Sequence, residues 1–119
     1  MSLLRKLEDL YLDSLVYFAS KKKGMLLKIR KSLIVLRDGL EKEGAETREM
    51  FVIYGRYTQG RASNEEMKEA NKQFLEIIKG LGVGALLVLP FAPLTIPFVV
   101  KLGQRLGVDI IPSSFRSKD

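Results

Sequence analysis

The chain of 119 residues contains no cysteine, no histidine and no tryptophan. Without cysteine, disulfides and thiol nucleophiles are excluded, and without histidine the usual zinc ligand sets and the serine–histidine catalytic pairs are excluded as well. The carboxylates, lysines and hydroxyls that remain form no recognisable catalytic constellation. The sequence therefore predicts a protein that is not an enzyme and that holds no metal and no cofactor.

Acidic residues are fewer than basic ones: 14 Asp and Glu stand against 20 Lys and Arg, which gives a net charge of +6. Most of this excess lies in residues 1–43 and favours phosphate-rich partners, either anionic lipid or RNA, whereas no DNA partner is predicted. The start of the chain carries early acids at Glu8, Asp9 and Asp13. These acids argue against a transit peptide, and no signal peptide is expected.

Charge is missing altogether from Leu81 to Val100, twenty residues in which only Thr95 is polar. At about 1.5 Å per residue, a helix of this length spans the roughly 30 Å hydrocarbon core of a bilayer. Pro90, Pro93 and Pro97 each remove a backbone donor, so they predict a kinked or re-entrant element packed against other helices. A buried hairpin in a soluble helical protein is the alternative, and the length of the stretch favours the membrane.

Two sets of residues follow as candidates for membrane contact. The membrane segment is expected to include Leu81, Leu86, Pro90, Pro93, Thr95, Pro97 and Val100. The contacts to an anionic partner are expected from Lys21, Lys22, Lys23, Lys28, Arg30, Lys31, Lys101 and Arg105. Lysines beside apolar helices are typical of contacts to acidic headgroups, although a solvated corner between helices fits Lys21 to Lys23 equally well. RNA ranks third, because no aromatic residues of the stacking type are interleaved with these charges.

Hydrophobic periodicity predicts four helices before the apolar stretch. Ser2 to Ser20 is amphipathic and presents a broad apolar face, for which packing on a second helix is commoner than contact with a membrane interface. Met25 to Glu43 carries leucines three and four apart, the seam of a helix pair, and its expected antiparallel partner is the first helix. Ala45 to Gln59 forms the third helix. Ser63 and Glu66 form a capping box that begins the fourth helix, which is expected to run directly into the apolar stretch.

These elements define one domain, residues 1–119, of the all-α class. We expect an antiparallel helical bundle with a proline-kinked apolar segment that is inserted in a membrane or re-entrant. Residues 1–43 form a basic amphipathic helical pair, residues 45–80 form two further helices, and residues 81–119 form the apolar segment and the tail.

The order of the pieces in the second half of the chain is also familiar. A polar helix SNEEMKEANKQFLEIIKGL, an apolar run VLPFAPLTIPFVVKLG and a terminal VDIIPSSF follow one another. Over roughly Ala45 to Phe115 this order resembles the membrane-segment region of the LETM family, the leucine-zipper and EF-hand-containing transmembrane proteins. The most specific matching residues are Pro90, Pro97, Lys101, Pro112, Ser113, Ser114 and Phe115.

The resemblance implies an inner-membrane protein concerned with exchange of potassium or calcium against protons, and mitochondrial members also bind ribosomes. Two departures limit the transfer: Pro93 stands where mitochondrial members place an acidic residue, and their long soluble domain does not follow Phe115 here. The chain resembles the bare membrane core of small bacterial relatives. The expected function is a LETM-like part in cation–proton homeostasis at the bacterial inner membrane.

In that role the chain would act as a homo-oligomer or as a subunit of a membrane complex, in contact with anionic lipids. The first alternative is a non-catalytic accessory protein that docks on a larger membrane complex or on ribosomes through its basic first third. A soluble bundle that oligomerises through an apolar groove is the second alternative.

Overall fold

The computed structural model describes residues 2–82 and 94–111. Within these ranges the chain forms five α-helices and no strand, which confirms the all-α class. The helices are α1 Ser2–Ser20, α2 Met25–Glu43, α3 Ala45–Thr58, α4 Asn64–Leu81 and α5 Ile96–Arg105. Seven residues of the predicted sites lie outside the described residues: Leu86, Pro90, Pro93, Pro112, Ser113, Ser114 and Phe115.

Helix α2 is the centre of the bundle and packs against α1, α3 and α4. Its inward side chains recur three and four residues apart, so they form one continuous stripe on the helix. They are fully buried and comprise Ile29, Leu33, Leu36 and Leu40. The predicted seam on this helix and its pairing with α1 are therefore confirmed.

The start of α4 is defined by a reciprocal pair of hydrogen bonds, as its sequence predicts. The Glu66 backbone N–H donates to Ser63 Oγ at 3.0 Å, and the Ser63 backbone N–H donates to Glu66 Oε1 at 2.9 Å. Two of the backbone donors that a helix start leaves unpaired are satisfied in this way. The Ser63 backbone and the Arg56 guanidinium, which both donate to this carboxylate, lower the pKa of Glu66.

The end of α4 differs from the prediction that this helix runs directly into the apolar stretch. Gly82 follows Leu81 with a φ of 64°, a left-handed conformation that ends the helix and that L side chains rarely adopt. Leu81 packs against Gly39 of α2, where a side chain would overlap it. The absence of a side chain at Gly39 therefore allows the end of α4 to approach α2 closely.

The expected kink at Pro97 is replaced by a helix start. Thr95 caps α5, its hydroxyl accepting a hydrogen bond from the Phe98 backbone N–H at 3.4 Å. Pro97 lies in the first turn of α5, where a backbone N–H would have no partner within the helix in any case. The ring therefore fits without breaking the helix.

The described end of the apolar stretch lies inside the bundle and not against lipid. Ile96, Phe98 and Val99 are fully buried and Val100 is nearly so, because α5 packs against both α1 and α4. The expectation that lipid surrounds Leu81 to Val100 is thus corrected for residues 94–100. In the ranges that the structure describes, every helix is too short or too polar to cross a membrane.

Candidate functional site

Two of the predicted anionic-contact residues attach α5 to α1 instead. The Lys101 ammonium donates to Glu8 Oε1 at 2.7 Å and lies 3.6 Å from Asp9 Oδ1. Its hydrogen bond with Glu8 raises the pKa of Lys101 above the usual value. One turn later Arg105 forms an ion pair with Asp13. The positive charges of Lys101 and Arg105 are therefore matched within the chain.

A third predicted contact residue, Arg30, binds the end of the same helix. Its Nε donates to the backbone carbonyl of Leu106 at 3.0 Å, one of the acceptors that a helix end leaves unpaired. At the other end of α5, the Ile96 backbone N–H donates to Asn71 Oδ1 at 2.8 Å. Both ends of α5 are thus held by side chains from α2 and α4.

Five of the eight predicted residues are exposed and have no such attachment within the described ranges, and we call them the basic corner. Lys21, Lys22 and Lys23 lie in the turn between α1 and α2, while Lys28 and Lys31 lie in the first two turns of α2. None of the five forms an ion pair with any residue that the structure describes. The structure therefore brings these five together and leaves their charge unmatched.

The charge of the whole molecule is concentrated at this corner. The five lysines of the basic corner carry five positive charges, whereas the net charge of the entire chain is +6. The remaining residues together therefore carry a net charge of only +1. A concentration of one sign in a single region of the surface attracts counter-charged partners more strongly than the same charge spread evenly.

The ends of α1 and α2 leave this positive potential uncompensated. The negative end of the α1 dipole and the positive end of the α2 dipole meet at the corner and largely cancel. Helix starts usually carry an acidic residue or a capping side chain, but the first turn of α2 has no acid and Gly24 provides no side-chain cap. The lysines therefore determine the sign of the potential here.

Large apolar side chains are exposed beside the lysines. Tyr17, Phe18 and Leu27 keep 57%, 66% and 55% of their surfaces accessible. The Lys21 ammonium lies 4.9 Å from the centroid of the Tyr17 ring, so the charged and apolar parts of the patch are in contact. None of these three is among the residues predicted to contact an anionic partner, and their position at the two helix ends next to the lysines is the signal that could have indicated them.

The outer face of α1 differs from the favoured prediction, in which its broad apolar face packs on another helix. The buried side chains of α1 are Leu12 and Ala19, while Leu3, Leu7 and Leu10 are exposed. The face therefore divides into a packed half and an open half.

An open cleft of about 290 Å³ lies between α3 and α4 and carries the remaining polar cluster. Glu46, Gln73 and Glu76 line it, and Gln73 Nε2 donates to Glu46 Oε2 at 3.4 Å. In residues 2–82 and 94–111 no three His, Cys, Asp or Glu side chains are grouped so that they could hold a metal ion. The cleft therefore has too few ligands for a metal centre.

No protein family model, curated protein or solved structure matches this chain. The resemblance to the LETM family accordingly stays a prediction. Positive charge without an ion pair and exposed apolar side chains in one patch have the character of a docking surface.

Proposed function

We propose that the protein is a non-catalytic membrane accessory protein that binds an anionic lipid surface through the basic corner. The observation that supports this proposal is that five lysines without an ion pair and three exposed apolar side chains occur together around the junction of α1 and α2, where Lys21 lies over the Tyr17 ring. Lysines bind the headgroup phosphates, and apolar side chains enter the boundary between headgroups and acyl chains. The bacterial inner membrane, which we expected from the sequence, offers such a surface.

The expected strength of binding follows from the number of free charges. Each lysine near an anionic membrane contributes about 1 kcal/mol, so five contribute on the order of 5 kcal/mol before ordering costs are subtracted. Burial of Phe18, Tyr17 and Leu27 adds an apolar contribution that does not depend on salt. Binding is therefore expected to be reversible and to weaken as the ionic strength rises.

Lipid is favoured over RNA by the apolar side chains of the patch. RNA phosphates would satisfy the lysines equally well and bases stack on aromatic rings, but RNA offers nothing comparable to the aliphatic side chain of Leu27, which gains free energy only when it leaves water. The alternative predicted from the sequence is docking on ribosomes. The patch gives it no comparable support, and the experiment below distinguishes it from lipid binding.

Two expectations from the sequence, membrane insertion of the apolar stretch and a part in cation–proton homeostasis, are separate from the basic corner. Insertion of the apolar stretch in a kinked or re-entrant form concerns residues 83–93, which lie outside the described residues, since residues 94–100 belong to the bundle core. A part in cation–proton homeostasis is supported by the LETM resemblance alone. Surface binding through the basic corner requires neither.

Vesicle flotation tests the proposal with two variants of equal net charge. Lys21, Lys22 and Lys23 are replaced together by Gln in the first variant, and Lys42, Lys68 and Lys72 in the second; all six lysines are exposed. Removing three charges from the corner costs about 3 kcal/mol, so the first variant should lose roughly 100-fold in affinity for vesicles rich in phosphatidylglycerol. The second variant should bind nearly as the original chain does.

Two results would contradict the proposal. Equal losses in both variants would mean that only overall charge matters and that the corner is no specific surface. Failure of the original chain to float with anionic vesicles, together with co-sedimentation with ribosomes, would assign the lysines to RNA.

A further inference from the structure

The open half of α1 carries a regular apolar seam. Leu3, Leu7 and Leu10 expose 66%, 52% and 62% of their surfaces, and Ser14 and Tyr17 continue the same alternation of four and three residues. At 3.6 residues per turn these positions fall within an arc of about 80°. This alternation is the pattern by which one helix packs along another, so the face is shaped for a helical partner.

We propose that this seam packs against the same seam of a second copy of the chain, with the two α1 helices antiparallel. The proposal goes beyond binding of lipid by the basic corner, and the leucines that carry it lie outside that corner. Leu3, Leu7, Leu10 and Ser14 of each copy would be buried in a two-fold symmetric contact, whereas Tyr17 would lie beyond the end of the second helix.

The charge on α1 favours a second copy over an anionic bilayer as the occupant. Ser2 to Ser20 carries two basic residues and three acidic ones, so this helix is net negative. Asp9 and Asp13 keep half or more of their side chains exposed even within their ion pairs. Helices that lie on anionic membranes have basic polar faces, and α1 has no such face.

The positions of single charges select the antiparallel arrangement. When Leu7 lies opposite Leu10 of the second copy, and Leu10 opposite Leu7, four leucines form the centre of the contact. In this register Lys6, which flanks the seam, lies across from Asp13 of the second copy, and by symmetry the pair occurs twice. A parallel arrangement brings Lys6 across from Tyr11 and has no such complementarity.

The arrangement also determines where the two basic corners lie. Each turn Lys21–Lys23 lies beyond the end of the seam, so the corners lie at opposite ends of the paired helices, about 40 Å apart at 1.5 Å per residue. Two corners on one particle bind a vesicle more tightly than one, because the second contact is intramolecular.

Sedimentation velocity without lipid tests the dimer independently of membrane binding. The contact of two single helices is small, so we expect a reversible dimer that is populated at roughly 100 µM and dissociates on dilution. Leu7→Lys and Leu10→Lys, both on exposed positions, should be folded monomers at that concentration. Val52→Lys, an equally exposed apolar position on α3, should dimerise as the original chain does.

Cross-linking tests the orientation, and the absence of cysteine from the chain removes any background. In the proposed register Leu3 lies opposite Ser14 of the second copy. A mixture of Leu3→Cys and Ser14→Cys chains should therefore be joined by a short bis-maleimide, whereas either variant alone should not, because its own copies lie about 16 Å apart along the helix axis.

Three results would overturn the proposal. The first is a chain that is monomeric at the highest concentration. The second is efficient cross-linking of each cysteine variant with itself, which indicates parallel helices. The third is a chain that stays monomeric and whose binding to vesicles is weakened by Leu7→Lys, because lipid would then be what contacts the seam. None of the three changes the comparison of the two triple-lysine variants in vesicle flotation. Failure of the dimer and failure of membrane binding are therefore distinguishable.

Discussion

Gly103 is the residue of α5 at which the fold tolerates no side chain. The segment after α5 turns back over it, with the Val108 backbone N–H donating to the Gly103 carbonyl at 2.8 Å. A Cβ on Gly103 would overlap the Val108 carbonyl oxygen and would lie 2.9 Å from Ile110 Cγ1. A backbone atom cannot rotate aside as a flexible side chain can, so the segment would have to move.

Gly103→Ala should therefore lower the free energy of unfolding by about 1–3 kcal/mol in urea denaturation at neutral pH, because the overlap outweighs the better helix propensity of alanine. Gly55→Ala is the matched control. Gly55 lies within α3 and has open space where its Cβ would be, so this change should stabilise by about 0.5–1 kcal/mol. Stabilisation by both variants would show that the close approach at Gly103 does not exist.

Single residues also show why the polar attachments of α5 could not be predicted. Lys101 and Arg105 were identified as basic residues after an apolar run, and nothing near them in sequence distinguishes a lipid contact from an ion pair. Their partners Glu8 and Asp13 lie more than ninety residues earlier in the chain. Only the tertiary structure brings these charges together.

Helix α5 is docked by polar contacts along one side, and Lys101 forms the central one. Lys101→Met leaves the half-buried Glu8 carboxylate without its hydrogen-bond donor. The free energy of unfolding should fall by about 1–2 kcal/mol in urea at pH 7. Lys68→Met, at an exposed position without an ion pair, should change it by less than about 0.5 kcal/mol.

The same contact gives a pH dependence of stability with a definite sign. The pKa of Lys101 is raised on folding, chiefly by its hydrogen bond with Glu8. The folded state therefore holds this proton more tightly. The contribution of the Lys101–Glu8 contact to the free energy of unfolding is complete below pH 10.5 and is lost as the pH rises through the folded pKa.

An equal effect of Lys101→Met and Lys68→Met at pH 7 would contradict the attachment of α5 described here.

Helices with a complete local signal were predictable, and those that depend on distant partners were not. The bounds of α1 and α2 agree with the predictions because Gly24 and Gly44 interrupt two clear periodicities, and the prediction for α3 was one residue too long. The kink expected at Pro97 does not occur, because proline breaks a helix interior but fits a helix start. Which of the two applies depends on whether Thr95 caps a helix that begins just before Pro97.

Burial of the apolar stretch belongs to the same class of error. A sequence of apolar residues is compatible with lipid and with a protein interior alike, since both exclude water. For residues 94–100 the structure decides for the interior, because α1 and α4 cover Phe98 and Val99 completely. Polarity alone carries no information on which of the two non-aqueous environments is used.

Viewed as one molecule, the protein is a helical bundle with its positive charge at one end. Of the eight basic residues predicted to meet an anionic partner, the bundle uses three for its own stability and leaves five exposed at the basic corner. The turn lysines were predictable from their consecutive order. Their exposed apolar neighbours were not, because Tyr17 and Phe18 fit a buried stripe equally well by spacing.

The most direct measurement of membrane binding through this corner uses an environment-sensitive fluorophore on a single introduced cysteine. Ser20→Cys places the label at the corner, and Ala45→Cys places it on an exposed position at the start of α3, beyond the far end of α2, which is about 27 Å long. With phosphatidylglycerol vesicles, the emission from position 20 should shift to the blue while that from position 45 stays unchanged, and neutral phosphatidylcholine vesicles should shift neither. A shift at position 45 alone, or at neither position with anionic vesicles, would contradict the account.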